Sequence, residues 1–336
     1  MANLGSCSHP DPERRDLYPA RDYVTGDTFV IARCTRCGLA RTLPVPSRQQ
    51  MARYYPSAYY GQGSRYNPLL EGLLRLLYSR RAQHLHALRG AHPGRALDIG
   101  CGRGLLLAQL RALGWSVHGT ELSATAAAYA RDVLGIDVTV GDVSTVEFPE
   151  ESADLVILWH VLEHVEDPAA ILRQCNRLLV PGGSLLVAVP NFGSPEARLG
   201  RDAWFHLDVP RHLNHFTASV LRAYVEDAGL RVESARYMAI EYDLFSVVQT
   251  ALNRLGLQAN ALYNALRVRG ARILDGQAPR RYRDILISAT LAPFIGVIGG
   301  VWTLIAARTE QGATVTLWVR KPETQAEVEG LPSAVR

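Results

Sequence analysis

Apolar residues recur at helical spacing over 68–89, PLLEGLLRLLYSRRAQHLHALR, with Pro68 placed as a first-turn residue. From Arg95 to about Tyr237 the pattern changes, and short apolar runs alternate with amphipathic stretches, as in a parallel α/β sheet. Strands are predicted over 95–99, 116–120, 138–140, 154–158, 184–189 and 231–237, with 313–320 as one more. Ser123, Asp167-Pro168 and Thr217 read as helix starts and Gly229 as a stop. Residues 1–60 show no helical period, 61–92 form a helical linker and 93–240 the core. Residues 241–310 are an apolar, arginine-rich helical insert before the last core strand (311–322), and the tail 323–336 reads as disordered.

The chain has 336 residues, 48% of them hydrophobic, enough for a sizeable core. Thirty-six basic against 32 acidic residues leave +4, too little over this length to argue for nucleic acid. The five cysteines are odd in number and scattered, which points to a reducing, cytoplasmic setting rather than a disulfide framework. The first residues carry no apolar run of the secretory-signal kind.

The most informative stretch is Leu97-Asp98-Ile99-Gly100-Cys101-Gly102-Arg103-Gly104, which ends the first core strand and opens a helix. Glycines there let backbone approach a ligand, and the helix start offers N–H donors. A dinucleotide loop has a different spacing, G-x-G-x-x-G, and Asp98 would repel a pyrophosphate but suit an ammonium group. Glu121 ends the second strand, where a carboxylate can accept from both ribose hydroxyls. Asp142, in Gly141-Asp142-Val143 after the third strand, can accept from an adenine amino group.

In this order and spacing the elements resemble the class I S-adenosylmethionine-dependent methyltransferases. The stretch ADLVILWHVLEHVEDPAAILRQCNRLLVPGGSLLVAVPN is similar to their segment from the fourth to the fifth strand. The resemblance implies a Rossmann-like, mostly parallel sheet with an antiparallel last strand. It also implies a cofactor bound by Asp98, Gly100, Gly102, Glu121, Asp142, Val143, Trp159 and His160. Cys101 is expected to fill space in the loop rather than act as a nucleophile.

His160-Val161-Leu162-Glu163-His164 matches the H-x-x-E-H zinc-peptidase pattern, but it follows a strand directly, whereas a peptidase needs it inside a long helix. A similar Glu-His pair occurs in methyltransferases resembling those of the ubiquinone pathway. There it would shape an acceptor pocket or bind a divalent ion, and a turn cap is the plain alternative. The stretch WFHLDVPRHLNHF (204–216) carries three histidines in ten residues beside aromatics, where acceptor loops of this fold sit. His212 is the first candidate general base and His215 the second; packing of the loop is the alternative role for each.

Cys34-Thr35-Arg36-Cys37-Gly38 is a C-x-x-C-G knuckle, and Cys7 with His9 would complete a four-ligand zinc site. The segment resembles N-terminal zinc-binding segments of some sugar and natural-product methyltransferases, departing from them in having Cys7-x-His9 instead of a second C-x-x-C. Residues 285–307 form a run of 23 without a charge, long enough to span a bilayer. The strands on either side belong to one sheet, so the chain must return. Pro293, Gly296 and Gly299-Gly300 are therefore expected to break the run into a shallow hairpin on a membrane surface, a buried lid or dimer interface being the alternative. The expected function is methyl transfer from S-adenosylmethionine to an oxygen of a small or lipid-linked acceptor. A sugar or nucleotide-sugar acceptor, and a cofactor-binding scaffold without turnover, are the other readings.

Overall fold

The computed structural model describes residues 14–55, 68–142, 146, 148–266 and 278–323. Cys7, His9, Val143 and the tail beyond Glu323 lie outside them.

Three short strands open the described chain: β1 (Arg14–Arg21), β2 (Thr28–Cys34) and β3 (Ala40–Leu43). Helix α1 (Pro68–Leu88) follows, then β4 (Arg95–Ile99), α2 (Leu105–Ala112), β5 (Ser116–Glu121), α3 (Ala124–Asp132) and β6 (Val138–Val140). The second half runs β7 (Ala153–Trp159), α4 (Pro168–Leu178), β8 (Leu179–Pro190), α5 (Pro195–Gly200), β9 (Asn214–His215), α6 (Ala218–Asp227) and β10 (Arg231–Arg236). Helices α7 (Ile240–Arg254), α8 (Ala261–Leu266) and α9 (Ala278–Arg308) separate β10 from β11 (Thr314–Arg320).

The large sheet has the order β10-β11-β8-β7-β4-β5-β6. Strands β4 to β8 pair in parallel, and β11 is antiparallel to both β8 and β10. Leu155, Val156, Ile157 and Leu158 are buried in succession because helices cover both faces of β7. The strand order reverses between β4 and β7, and ligands of open α/β sheets bind beyond the carboxyl ends of strands at such a point. The expected helix starts are present: Ser123, Asp167 and Thr217 each accept a backbone N–H three residues on.

Two findings differ from the pattern reading. Residues 14–43, read from the sequence as part of a zinc-ribbon-like segment with no strands drawn, form an antiparallel sheet, β1-β2-β3-β9, whose fourth strand comes from the far side of the chain. A two-residue strand such as β9 leaves no periodicity to read. The insert, expected as a broken hairpin, contains one continuous 31-residue helix that runs through Pro293. Its glycines are packing positions rather than breaks. A methyl at Gly299 would overlap Val247 of α7, and one at Gly300 would touch Leu244. Glycine lets the two helix backbones approach where a larger residue would hold them apart.

Candidate active site

At the carboxyl end of β4 the chain turns through Gly100, Gly102 and Gly104, all with positive φ. The N–H groups of Gly100 and Cys101 both donate to Thr120 O, at 2.8 and 2.9 Å, and fasten the loop to β5. A side chain at Gly100 would collide with Val161, whereas one at Gly102 would meet nothing within 4 Å. The loop is thus packed on one side and open on the other. Glu121 holds the open side in shape, since its Oε2 accepts from Gly102 N at 2.9 Å and its Oε1 from Ser123 N at 2.7 Å.

Asp98 is buried beneath this loop. Burial raises its carboxyl to about 8, nearby Glu121 adds to the shift, and Arg81 opposes it. Burial also raises Glu121, against the pull of its backbone donors. Two carboxyls at one sheet edge, Asp98 buried and Glu121 half-buried, both held above the usual carboxylate range, would be drawn to their charged forms by a cationic ligand. Burial, with Asp98 and Glu121 beside it, pushes the Cys101 thiol far up, which keeps it protonated and removes it as a nucleophile. Asp142 sits half-buried at the end of β6, on the same edge of the sheet.

Beyond β7 come Trp159 and His160. His160 has φ +54, and its N–H donates to Ala188 O at 2.9 Å. Its Nδ1 lies 3.1 Å from Glu163 Oε1 in a turn, not on a helix, so H-x-x-E-H here is not a peptidase motif. Arg81 of α1 lies over the Trp159 ring, 3.5 Å from its centroid, and is ion-paired with Glu241 of α7. Tyr242 brings its ring 4.3 Å from that of His160. These three residues were not singled out from the sequence. Nothing in their local pattern marks them, because α1 and α7 reach the site only through the fold.

The loop after β8 adds the histidines. His212 Nδ1 donates to His206 O at 2.8 Å and His164 Nδ1 donates to Arg211 O at 2.9 Å, which leaves Nε2 as the basic nitrogen of each ring. Ligating atoms of Glu163, His164 and His212 all lie within 4.8 Å of one another. Burial lowers His206 to about 3 and His212 to about 4, so both are neutral near pH 7. Burial would raise Glu163, but its bond to His160 and the charges of the surrounding histidines hold it down to about 2. His215, the second candidate base, belongs instead to the small sheet. Its Nε2 lies 2.9 Å from Thr42 Oγ1 and its ring packs on Phe192.

A fully buried guanidinium, Arg211, ties the loop to the small sheet. It donates to Asp22 Oδ1 at 2.8 Å, Asp208 Oδ1 at 2.9 Å and Tyr54 O at 2.9 Å. Cys34 and Cys37 flank the β2–β3 turn, where Gly38 N donates to Cys34 O at 3.1 Å. Gly38 has φ +76, the conformation a knuckle requires of that glycine.

A family model described as a methyltransferase domain matches residues 70–235. Two proteins named ubiquinone biosynthesis O-methyltransferase are similar. The one from Rhodopseudomonas palustris (strain BisB5) is 38% identical over 38% of this chain and 52% of its own length. The one from Pseudomonas paraeruginosa is 34% identical over 41% and 64%. The match therefore spans between half and two thirds of those relatives. A protein of Mycolicibacterium smegmatis named probable S-adenosylmethionine-dependent methyltransferase is 33% identical over 53% of this chain and 68% of its own length. The residues at this sheet edge fit that cofactor. The open face at Gly102 leaves room beside the backbone, and the carboxyls of buried Asp98 and half-buried Glu121 suit its cationic groups and ribose hydroxyls. Trp159 Nε1 and His160 Nε2 are buried at the same edge without a hydrogen-bond partner. By its relatives, its motif order and its sheet, the chain belongs to the class I S-adenosylmethionine-dependent methyltransferases.

Proposed function

We propose that the protein methylates an oxygen of a small or lipid-linked acceptor, with residues 241–310 meeting the cytoplasmic membrane face. In this reading residues 93–240 and 311–322 form the catalytic core, 61–92 the helical linker and 1–60 a zinc-ribbon-like segment. The observation that supports it is the cluster of half-buried His160 and His164 with buried Glu163, His206 and His212 beside the glycine loop, joined to it by the close approach of Val161 to Gly100. The names of the two ubiquinone-pathway relatives support oxygen as the acceptor atom. The bound cofactor supplies an electrophilic methyl group on a sulfonium. His212 Nε2 takes the acceptor's hydroxyl proton, while the loop orients the reactants beside Trp159 and Tyr242, whose rings each pack on that of His160.

Labelled methyl transfer into lipid and aqueous extracts tests this reading. Label in the lipid fraction supports it, and label in a sugar or nucleotide fraction would point to the sugar reading favoured by the cysteine knuckle. Label in neither, with cofactor binding intact, would identify a scaffold without turnover. A divalent ion held by Glu163, His164 and His212 is a second reading. It is favoured by the fixed Nδ1 donors of both histidines and by Glu163 Oε2, which is buried without a hydrogen-bond partner.

Cofactor affinity should depend on Glu121. Glu121→Ala removes the clamp on Gly102 N and Ser123 N together with the ribose acceptor. Hydrogen bonds to charged groups contribute roughly 1.5–3 kcal/mol each, so titration calorimetry should show a loss of about 10- to 100-fold or more. Unchanged affinity would remove Glu121 from the site. For zinc at Cys7, His9, Cys34 and Cys37, elemental analysis of the purified protein should find about one zinc per chain, lost in Cys34→Ser. Protein folded without zinc would leave the knuckle as a turn packed on Val220 and Tyr224.

A further inference from the structure

Helix α9 reverses the usual placement of apolar side chains. Its buried stripe is Asp284, Ser288, Gly299, Thr303 and Ala306, all small or polar. Its outward stripe is Leu286, Phe294, Val297, Ile298, Val301 and Ile305, with Phe294 70% and Ile298 73% exposed. An amphipathic helix on a water-facing surface has these faces the other way round. Small residues against a neighbouring helix and large apolar ones outward is the arrangement that suits lipid. The segment Tyr282–Arg308 is long and apolar enough to cross a membrane, with mean hydropathy 2.0 and 11% of its most apolar window buried.

Crossing conflicts with the topology. The chain leaves the sheet at β10 and returns at β11, which pair side by side. The outgoing helix α7 has 15 residues, about 22 Å at 1.5 Å per residue, against a hydrocarbon core of about 30 Å. It also buries Asp243 and Gln249, so it cannot be the second span. Charge indicates which surface fits. Between Arg254 and Arg308 the sequence has eight arginines against two aspartates, and the uncharged run lies between the exposed Arg283 and Arg308.

Resting on the reading that residues 241–310 meet a membrane, we propose that the outer face of α9 lies in the plane of an anionic phospholipid bilayer. Helix α7 connects that face to the acceptor site. Leu244 packs on α9 at Gly300, and Tyr242, two residues earlier, lies against His160. The substrate class this selects is an amphiphile whose tail stays in the bilayer while its hydroxyl-bearing head reaches His160 and His212.

The test is flotation of the full chain with phosphatidylglycerol vesicles and with phosphatidylcholine vesicles. The comparison protein carries Phe294→Asp, Ile298→Asp and Ile305→Asp, all on the exposed face. The parent chain should float with the anionic vesicles, less with the neutral ones, and resist full extraction by salt because apolar insertion is not screened. The triple variant should stay in the soluble fraction with unchanged S-adenosylmethionine affinity by calorimetry. If the aspartates impair folding, Phe294→Ser with Ile298→Ser makes the same comparison. Failure of the parent chain to float, equal flotation of parent and variant, or a parent dimer that the substitutions convert to monomer would overturn the proposal. Flotation without cofactor binding would instead refute the methyltransferase reading and leave the bilayer contact standing.

Discussion

Replacing His212 by alanine should lower turnover by about 10²- to 10⁴-fold, the usual contribution of a positioned general base, while leaving cofactor affinity unchanged. The expectation rests on geometry first. His206 O takes the Nδ1 proton at 2.8 Å, so Nε2 carries the lone pair of a ring that stands beside Glu163 and His164. Burial, reinforced by the charge of His164, holds the imidazole down to about 4, although Asp208 and Glu163 pull the other way. A base of that kind is neutral throughout the physiological range. The acid limb of the rate should therefore fall near pH 4 instead of at the usual histidine value of about 6.5. Partial recovery of His212→Ala by added imidazole would support the role of base. Chelation separates this from the metal reading: a base is indifferent to a chelator, whereas an ion held by Glu163, His164 and His212 would be stripped and activity lost with it. Full activity in His212→Ala would exclude both roles.

The second large effect is on stability. Arg211→Ala should destabilise the fold by roughly 3–5 kcal/mol, because it leaves the buried Asp22 and the half-buried Asp208 with their charge uncompensated. The guanidinium also donates to Tyr54 O and stacks over the Tyr23 ring, 4.7 Å from its centroid, so its loss would detach the small sheet from the acceptor loop. Urea unfolding of the parent and variant measures the difference. Its pH dependence has a defined sign. Burial tends to raise the Asp208 carboxyl, but Arg211 outweighs it and the pKa is lowered. That contribution is present above the unfolded aspartate value of about 3.9 and is lost as pH falls through the lower folded value. The gap between parent and variant should accordingly narrow in acid. Arg211→Lys keeps the charge but not the planar fork and should fall between the two. An Arg211→Ala midpoint equal to the parent's would show that the buried pairs contribute nothing net.

Much of the core was legible because its signals are local. The glycine loop, the carboxylate ending β5, and the caps at Ser123, Asp167 and Thr217 each depend on residues within one turn or one strand end. Tertiary structure alone decided where the histidines of the later loop go. His164 meets the backbone of Arg211 across 47 positions, while His215 is drawn to Thr42 across 173 and into the small sheet. It also decided what lies over Trp159, since Arg81 and Glu241 stand 160 positions apart and meet only because α1 and α7 converge there. The glycines of α9 read as breaks because a sequence window sees lost helix propensity and not the opposing Val247, whose close approach is what they permit. Local backbone preference and periodicity are written in neighbouring residues. Which distant side chains share a buried site depends on the path of the whole chain.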